Sequence, residues 1–211
     1  MEWIHVVLLL GLGAALLFVL VMMFKGKPKP QTQEEVPVDL SSLTVRDARV
    51  GDIVNIFGAG ADFEDLSFRV DEVHRYEWGS ESWKELEGAS AGGRVFLEWS
   101  DDDGLEVVLT PPGNSLRIQQ LGLSEEELIR FDEEQAASNT VTHEGVTFHY
   151  VSSHETGFFE GGRGEGEGFY LWNFESDDGK QVLSIEKWEG EAFEASISTV
   201  IDPTDLQILR A

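Results

Sequence analysis

His143, His149, His154 and Glu155 bring imidazole and carboxylate together in one short stretch. That is a donor set which divalent metals and small polar ligands both use. Zinc needs three or four convergent ligands, and no H-E-x-x-H motif occurs here. On an unbroken strand His149 and His154, five residues apart, point to opposite faces. The four are candidate ligand or metal contacts, set against a plainer reading as surface or hydrogen-bonded side chains. Gly157 to Gly168 holds six glycines. A phosphate cradle leads into a helix N-terminus and usually carries Lys, whereas this stretch carries glutamates and leads into strand-like residues. It reads as a hairpin loop, with Phe158, Phe159 and Arg163 as candidate partner contacts. Asp101–Asp103 and Asp177–Asp178 lack the ligand spacing of a calcium loop and read as turns. Trp78, Trp83, Trp99, Trp172 and Trp188 suit either a ligand cleft or a core, and the core is favoured. There is no G-x-S-x-G elbow, no P-loop and no Cys nucleophile, so no catalytic residue is assigned and no cofactor is expected.

These residues stand in a chain of 211 with 15 Lys plus Arg against 40 Asp plus Glu, a formal charge of −25. Nucleic acid is excluded as a partner, because binding phosphates depends on cationic side chains. The chain has no cysteine, which removes disulfides and thiolate sites. Thirteen Phe and six Trp are too many for a disordered acidic tail. The acidity fits a basic protein partner, polyamines or other cations; equally it fits a solubility or salt adaptation.

The elements that must position the candidates are mostly strands. Ile53–Phe57 follows a Val50-Gly51-Asp52 turn, and Ser67–Trp78 alternates Phe68, Val70, His74 and Tyr76 on one face. Arg94–Ser100 and Leu105–Thr110 flank one Asp-Gly turn; Phe169–Glu175 and Lys180–Trp188 flank another. Glu194–Ile201 and Leu206–Leu209 complete the set. One helix is predicted from the Ser124-x-x-Glu127 capping box to about Ala137, burying Leu128 and Phe131.

The N-terminus differs from the rest. Trp3–Phe24 is a run of 22 residues in which His5 is the only strongly polar member, long enough for a transmembrane helix. Its acidic start and its Lys25, Lys27, Lys29 exit do not suit a cleaved signal peptide. The positive-inside rule places the N-terminus outside and the body in the cytoplasm, at the bacterial inner membrane. The expected organisation is an anchor over 1–24, a Pro-containing linker over 25–43, a first β-rich half with the helix over 44–138, and a second β-rich half over 139–211. Past residue 30 there are 12 basic and 39 acidic side chains, a net charge of −27, so an anionic lipid surface repels the body.

The halves match loosely. Phe68 and His74 correspond to Phe148 and His154, and Phe96–Ser100 to Leu171–Ser176 ahead of the two Asp-Gly turns. The expected fold is mainly β, two related meander or barrel-like halves joined by one short helix and preceded by a transmembrane helix. Val45-Arg46-Asp47-Ala48-Arg49-Val50-Gly51-Asp52-Ile53-Val54, Phe68-x-Val70 and Leu183–Ala195 resemble the bacterial domain of unknown function 4178 family. That resemblance implies a β-rich domain encoded near membrane-associated stress genes and polyamine-linked genes, including spermidine-synthase-like enzymes. It supplies no catalytic residues. The leading expectation is a non-enzymatic binding or scaffold module at the cytoplasmic face of the membrane, with a protein partner in an envelope-stress or membrane-associated complex. The alternative is a polyamine or cation sensor, or an enzyme, with a pocket between the two halves.

Overall fold

The computed structural model describes residues 43–60, 64–102 and 104–210. Trp3, Phe24, Lys25, Lys27 and Lys29 lie outside them, and with them the anchor, the linker and the topology expected from the sequence. Among the described residues no helix is long and apolar enough to cross a membrane.

Twelve strands form one antiparallel sheet: β1 (Ile53–Ile56), β2 (Leu66–Trp78), β3 (Glu81–Ser90), β4 (Gly93–Ser100), β5 (Glu106–Thr110), β6 (Ser115–Leu116), β7 (Thr140–His143), β8 (Val146–Phe159), β9 (Glu167–Ser176), β10 (Gln181–Trp188), β11 (Glu194–Val200) and β12 (Leu206–Leu209). The order runs β12-β1-β2-β3-β4-β5-β11-β10-β9-β8-β7, with β6 paired to β11. A further pairing of Arg75–Glu77 with Gly157–Phe159 joins β2 to β8. Eight strands, β2-β3-β4-β5-β11-β10-β9-β8, therefore close into a ring.

Two bulges decide what faces the inside. In β2 the register passes from Val70↔Gly88 to Glu72↔Glu87, leaving Asp71 unpaired, and one extra residue moves every later side chain to the other face. Phe68 and Val70 pack outward into an aliphatic core with Leu86, Leu97 and Leu109. His74 and Tyr76 point inward, so the single face expected for all four is two faces. In β8 the same step falls at Val151, between Tyr150↔Phe174 and Ser152↔Asn173. Phe148 and Tyr150 pack outward with Phe174, Trp172 and Leu183, while His154 turns inward.

A second outer core therefore belongs to the second half, and the helix covers it. α1 (Glu125–Glu134) begins at Ser124, whose hydroxyl accepts from Glu127 N while Glu127 Oε2 accepts from Ser124 N, a reciprocal cap. It buries Leu128 and Phe131 as expected. It stops short of Ala137 because Gln135 takes the left-handed conformation at φ 45°. Trp172 Nε1 donates to Leu128 O at 3.1 Å and the Tyr170 hydroxyl to Asp132 at 2.6 Å, fixing the helix to β9.

Both halves follow one path: β1–β5 and β7–β11 are each five-stranded meanders with a bulge in the second strand. The pairings match β3 with β9 and β4 with β10. The sequence match of Phe96–Ser100 with Leu171–Ser176 sets β4 against β9 instead, because both precede Asp-Gly turns, a chemistry common to any hairpin.

Candidate functional site

The inward face of the ring is acidic and aromatic. From the register, β2 contributes His74, Tyr76 and Trp78; β3 Trp83, Glu85 and Glu87; β4 Glu98; β10 Glu186 and Trp188; β9 Phe169; and β8 His154 and Phe158. Two cavities of about 420 and 450 Å³ occupy this interior and share Tyr76, Glu98, Ser184 and Glu186 as their common wall. Arg94 is the only Lys or Arg among the described residues that line them.

Glu98 and Glu186 stand on that wall, Glu85 lines the 450 Å³ cavity opposite Glu98, and each has a neutral aromatic donor. Tyr76 reaches Glu85, Trp83 reaches Glu98, and Trp188 Nε1 donates to Glu186 Oε2 at 2.9 Å. Burial raises all three carboxyl pKa values; the pressure of like charge adds to it, from Glu98 and Glu186 on Glu85 and from Glu186 on Glu98. Glu98 is pushed up to about 7. Burying an ion costs several kcal/mol unless it is paired, and no Lys or Arg among the described residues pairs with these three. Burial and the neighbouring carboxylates likewise push the Tyr76 hydroxyl upward, so it stays a donor.

The aromatic walls are continuous. Tyr76 stacks on Trp83 at 5.3 Å between centroids, Phe169 on Trp188 at 4.4 Å, and Phe158 meets Trp188 edge-on at 5.5 Å. Such faces attract cations, by about 0.5–2 kcal/mol per contact depending on desolvation. Carboxylates interleaved with π-faces make a site for an organic cation. Among the described residues no three His, Asp or Glu side chains converge closely enough to hold a metal ion.

The two cavities differ at their histidines. His74 Nε2 lies 2.8 Å from Glu87, which also pairs with Arg94, and His74 Nδ1 accepts from Gly161 N at 3.2 Å. The glycine-rich stretch thus serves the site: β8 continues to Phe159, and Gly161 and Gly162, at φ +59° and +69°, turn the Gly161 N–H onto the ring. His154 lies flat against Trp78, centroids 3.8 Å apart, and only 9% of it is exposed. Neither of its ring nitrogens has a partner, and burial lowers its pKa. Thr156 Oγ1, two positions on, is also buried without a partner.

The other candidates scatter. Phe158 is an interior wall and not a surface contact, whereas Phe159 faces outward beneath the Arg75 guanidinium, 3.8 Å from the ring centroid. Arg163 is exposed on the β8–β9 connection. His149 is half-buried, its Nε2 2.6 Å from Asp177 Oδ1, and that carboxylate raises its pKa. The Val151 bulge puts His149 and His154 on the same face, since the strand is not unbroken, yet His149 is tied to Asp177 and not to the interior. His143 ends β7, and Glu155 is exposed on the outer face of β8. Trp78, Trp83 and Trp188 line the interior; Trp172 is core. Sequence reasoning missed Glu85, Glu98 and Glu186 among forty acids. The signal present was an aromatic residue two positions from each glutamate on the same strand face: Trp83 beside Glu85, Phe96 beside Glu98 and Trp188 beside Glu186.

Comparison with known proteins adds one finding. The model of a family described as Domain of unknown function (DUF4178) matches residues 49–203. No curated protein and no solved structure matches the chain.

Proposed function

The chain belongs to the DUF4178 family, a membership that assigns no activity, and from the chemistry of the ring interior we propose that it is a non-enzymatic receptor for an organic ammonium cation. The observation that carries this reading is that Glu85, buried, and Glu98 and Glu186, half-buried, are desolvated side by side with aromatic donors and no basic partner among the described residues. A bound ammonium ion supplies the missing charge, and the walls of Tyr76, Trp83 and Trp188 supply cation–π contact. Polyamines fall in this class, in line with what the resemblance implied. A scaffold is less well served by the geometry, since Phe158, the expected contact, faces inward. The two meanders are read as duplicated copies, with the site at their junction. The apolar run Trp3–Phe24 tethers this receptor to the inner membrane, with the acidic body in the cytoplasm and held clear of lipid by the linker.

Spermidine titrated into the full chain in mild detergent tests the binding. The expected result is saturable heat of binding and a raised unfolding temperature; a ligand at a hundred times its Kd adds about 2.7 kcal/mol to stability. Affinity should fall with salt as screening grows. Glu98→Gln and Glu186→Gln together should abolish binding. Absence of any thermal shift with millimolar spermidine overturns the reading. Protease added to intact spheroplasts should spare the body, and its digestion there without lysis overturns the topology.

A further inference from the structure

The ring carries an approximate internal symmetry that makes its two cavities comparable residue by residue. Phe68, Val70, His74 and Trp78 have counterparts 80 positions on at Phe148, Tyr150, His154 and Phe158. Across the pairings, Glu98 opposes Glu85, which opposes His74, while Glu186 opposes Leu171, which opposes His154, so Glu98 and Glu186 are counterparts at the shared wall. Each histidine lies against the aromatic ring of the other half: His74 on Phe158 at 5.1 Å, His154 on Trp78 at 3.8 Å.

What satisfies His74 is missing at His154. The counterpart of Glu87 on β9 is Asn173, and its side-chain oxygen already accepts from the Ser184 hydroxyl at 2.9 Å. The counterpart of the long β8–β9 connection is the Gly79–Ser80 turn between β2 and β3, which is too short to fold an N–H back onto the ring. Hence His154 is more than nine-tenths buried, lines the 420 Å³ cavity, and has two unpartnered nitrogens. An unsatisfied buried polar group destabilises the fold that holds it, and no group among the described residues hydrogen-bonds either nitrogen. A neutral imidazole has one bare ring nitrogen, which is an acceptor.

We infer that the ligand sits in the His154 cavity with its ammonium group against Glu98 and Glu186, and that it carries an N–H donor which His154 accepts; the site selects protonated primary or secondary amines over quaternary ammonium ions. This rests on the cation-receptor reading. The aromatic walls accept either kind of cation, the carboxylates already favour one with an N–H to give, and the unpartnered imidazole adds a further acceptor that a quaternary nitrogen cannot use.

The test compares 1,4-diaminobutane with its hexamethyl bis-quaternary analogue, two dications on one carbon chain, by calorimetry on the full chain in detergent. The diamine should bind at least about tenfold tighter, a ratio that corresponds to one hydrogen bond. His154→Phe keeps the ring stacked on Trp78 and removes both nitrogens, and should shrink the ratio about tenfold. Equal affinity of the two probes for the unaltered protein overturns the inference and leaves the receptor reading standing; so does a ratio that His154→Phe leaves undiminished. If neither probe binds, the receptor reading itself fails and the inference with it. Should His154→Phe fail to fold, His154→Leu makes the same comparison.

Discussion

The two faces of the ring strands follow opposite physical logic. Outward, β4 presents Val95 and Leu97 and β9 presents Trp172 and Phe174, each nearly or fully buried in an apolar core that α1 or the β1–β2 region completes. Inward, the same strands present Glu98, Phe169 and Leu171 to an interior that Glu85 and Glu186 also line. The outer face lowers the free energy of the fold by removing hydrocarbon from water, about 25 cal/mol per Å². The inner face raises it by desolvating charge. A fold that keeps a costly interior beside inexpensive cores has stability to spare on the outside and a use for the inside.

That contrast can be broken most forcefully at Phe174, which is fully buried and meets Phe131 and Tyr150 edge-on. Phe174→Ala should lose about 3–5 kcal/mol in denaturant unfolding, the range for truncating a buried aromatic. Any ligand affinity of the folded fraction should persist, because that ring packs against α1 and not against the carboxylates. A next, smaller effect is expected where the faces exchange. A Cβ on Gly88 would lie 2.2 Å from Arg69 O, backbone against backbone, beside the bulge. Gly88→Ala should therefore cost about 1–3 kcal/mol by overpacking. If its unfolding curve matches that of the unaltered protein, the close approach of β2 and β3 beside the bulge is not a fixed feature of the fold.

The smallest effect has the opposite sign. Glu98 has its pKa raised from 4.5 to about 7 in the fold, so the folded state holds a proton that the unfolded chain has released. Its contribution to stability is full below pH 4.5 and is lost as pH rises through about 7. Glu98→Gln should therefore stabilise the unliganded protein at pH 8, by about 1–2 kcal/mol, and flatten that part of the pH profile. A variant less stable than the parent at pH 8 would mean that the carboxylate is compensated by the fold after all.

Much of the β-rich architecture was legible because the outer face alternates in the usual way. Leu105–Thr110 and Lys180–Trp188 read as strands from Val107, Leu109, Leu183 and Ile185, and the helix from its capping box. β3 was not legible. Its inward positions are Trp83, Glu85 and Glu87, and its outward ones include Lys84 and Gly88, so no apolar period marks it. The strand that hid itself is the one that brings Glu85 to the site. Phe158 was misplaced for a related reason: a glycine-rich neighbourhood read as a loop, whereas β8 continues through Phe158 and closes the ring against Tyr76. The bulges at Asp71 and Val151 left no composition cue, and without them His74 and His154 take the wrong face or the wrong neighbours.

The residues alone determined that this chain is acidic, free of cysteine, mainly β, helically capped at Ser124 and a member of its family, because those properties depend on composition and on neighbours a few positions apart. Only the tertiary structure decided that Glu85, Glu98 and Glu186 share one interior and that His154 lies there without a partner. Strand periodicity tells which side chains share a face; it does not tell whether that face turns outward to a core or inward around a cavity. The choice is made by the pairing of β2 with β8, between residues about 80 positions apart, where local sequence carries no information about which way the ring closes.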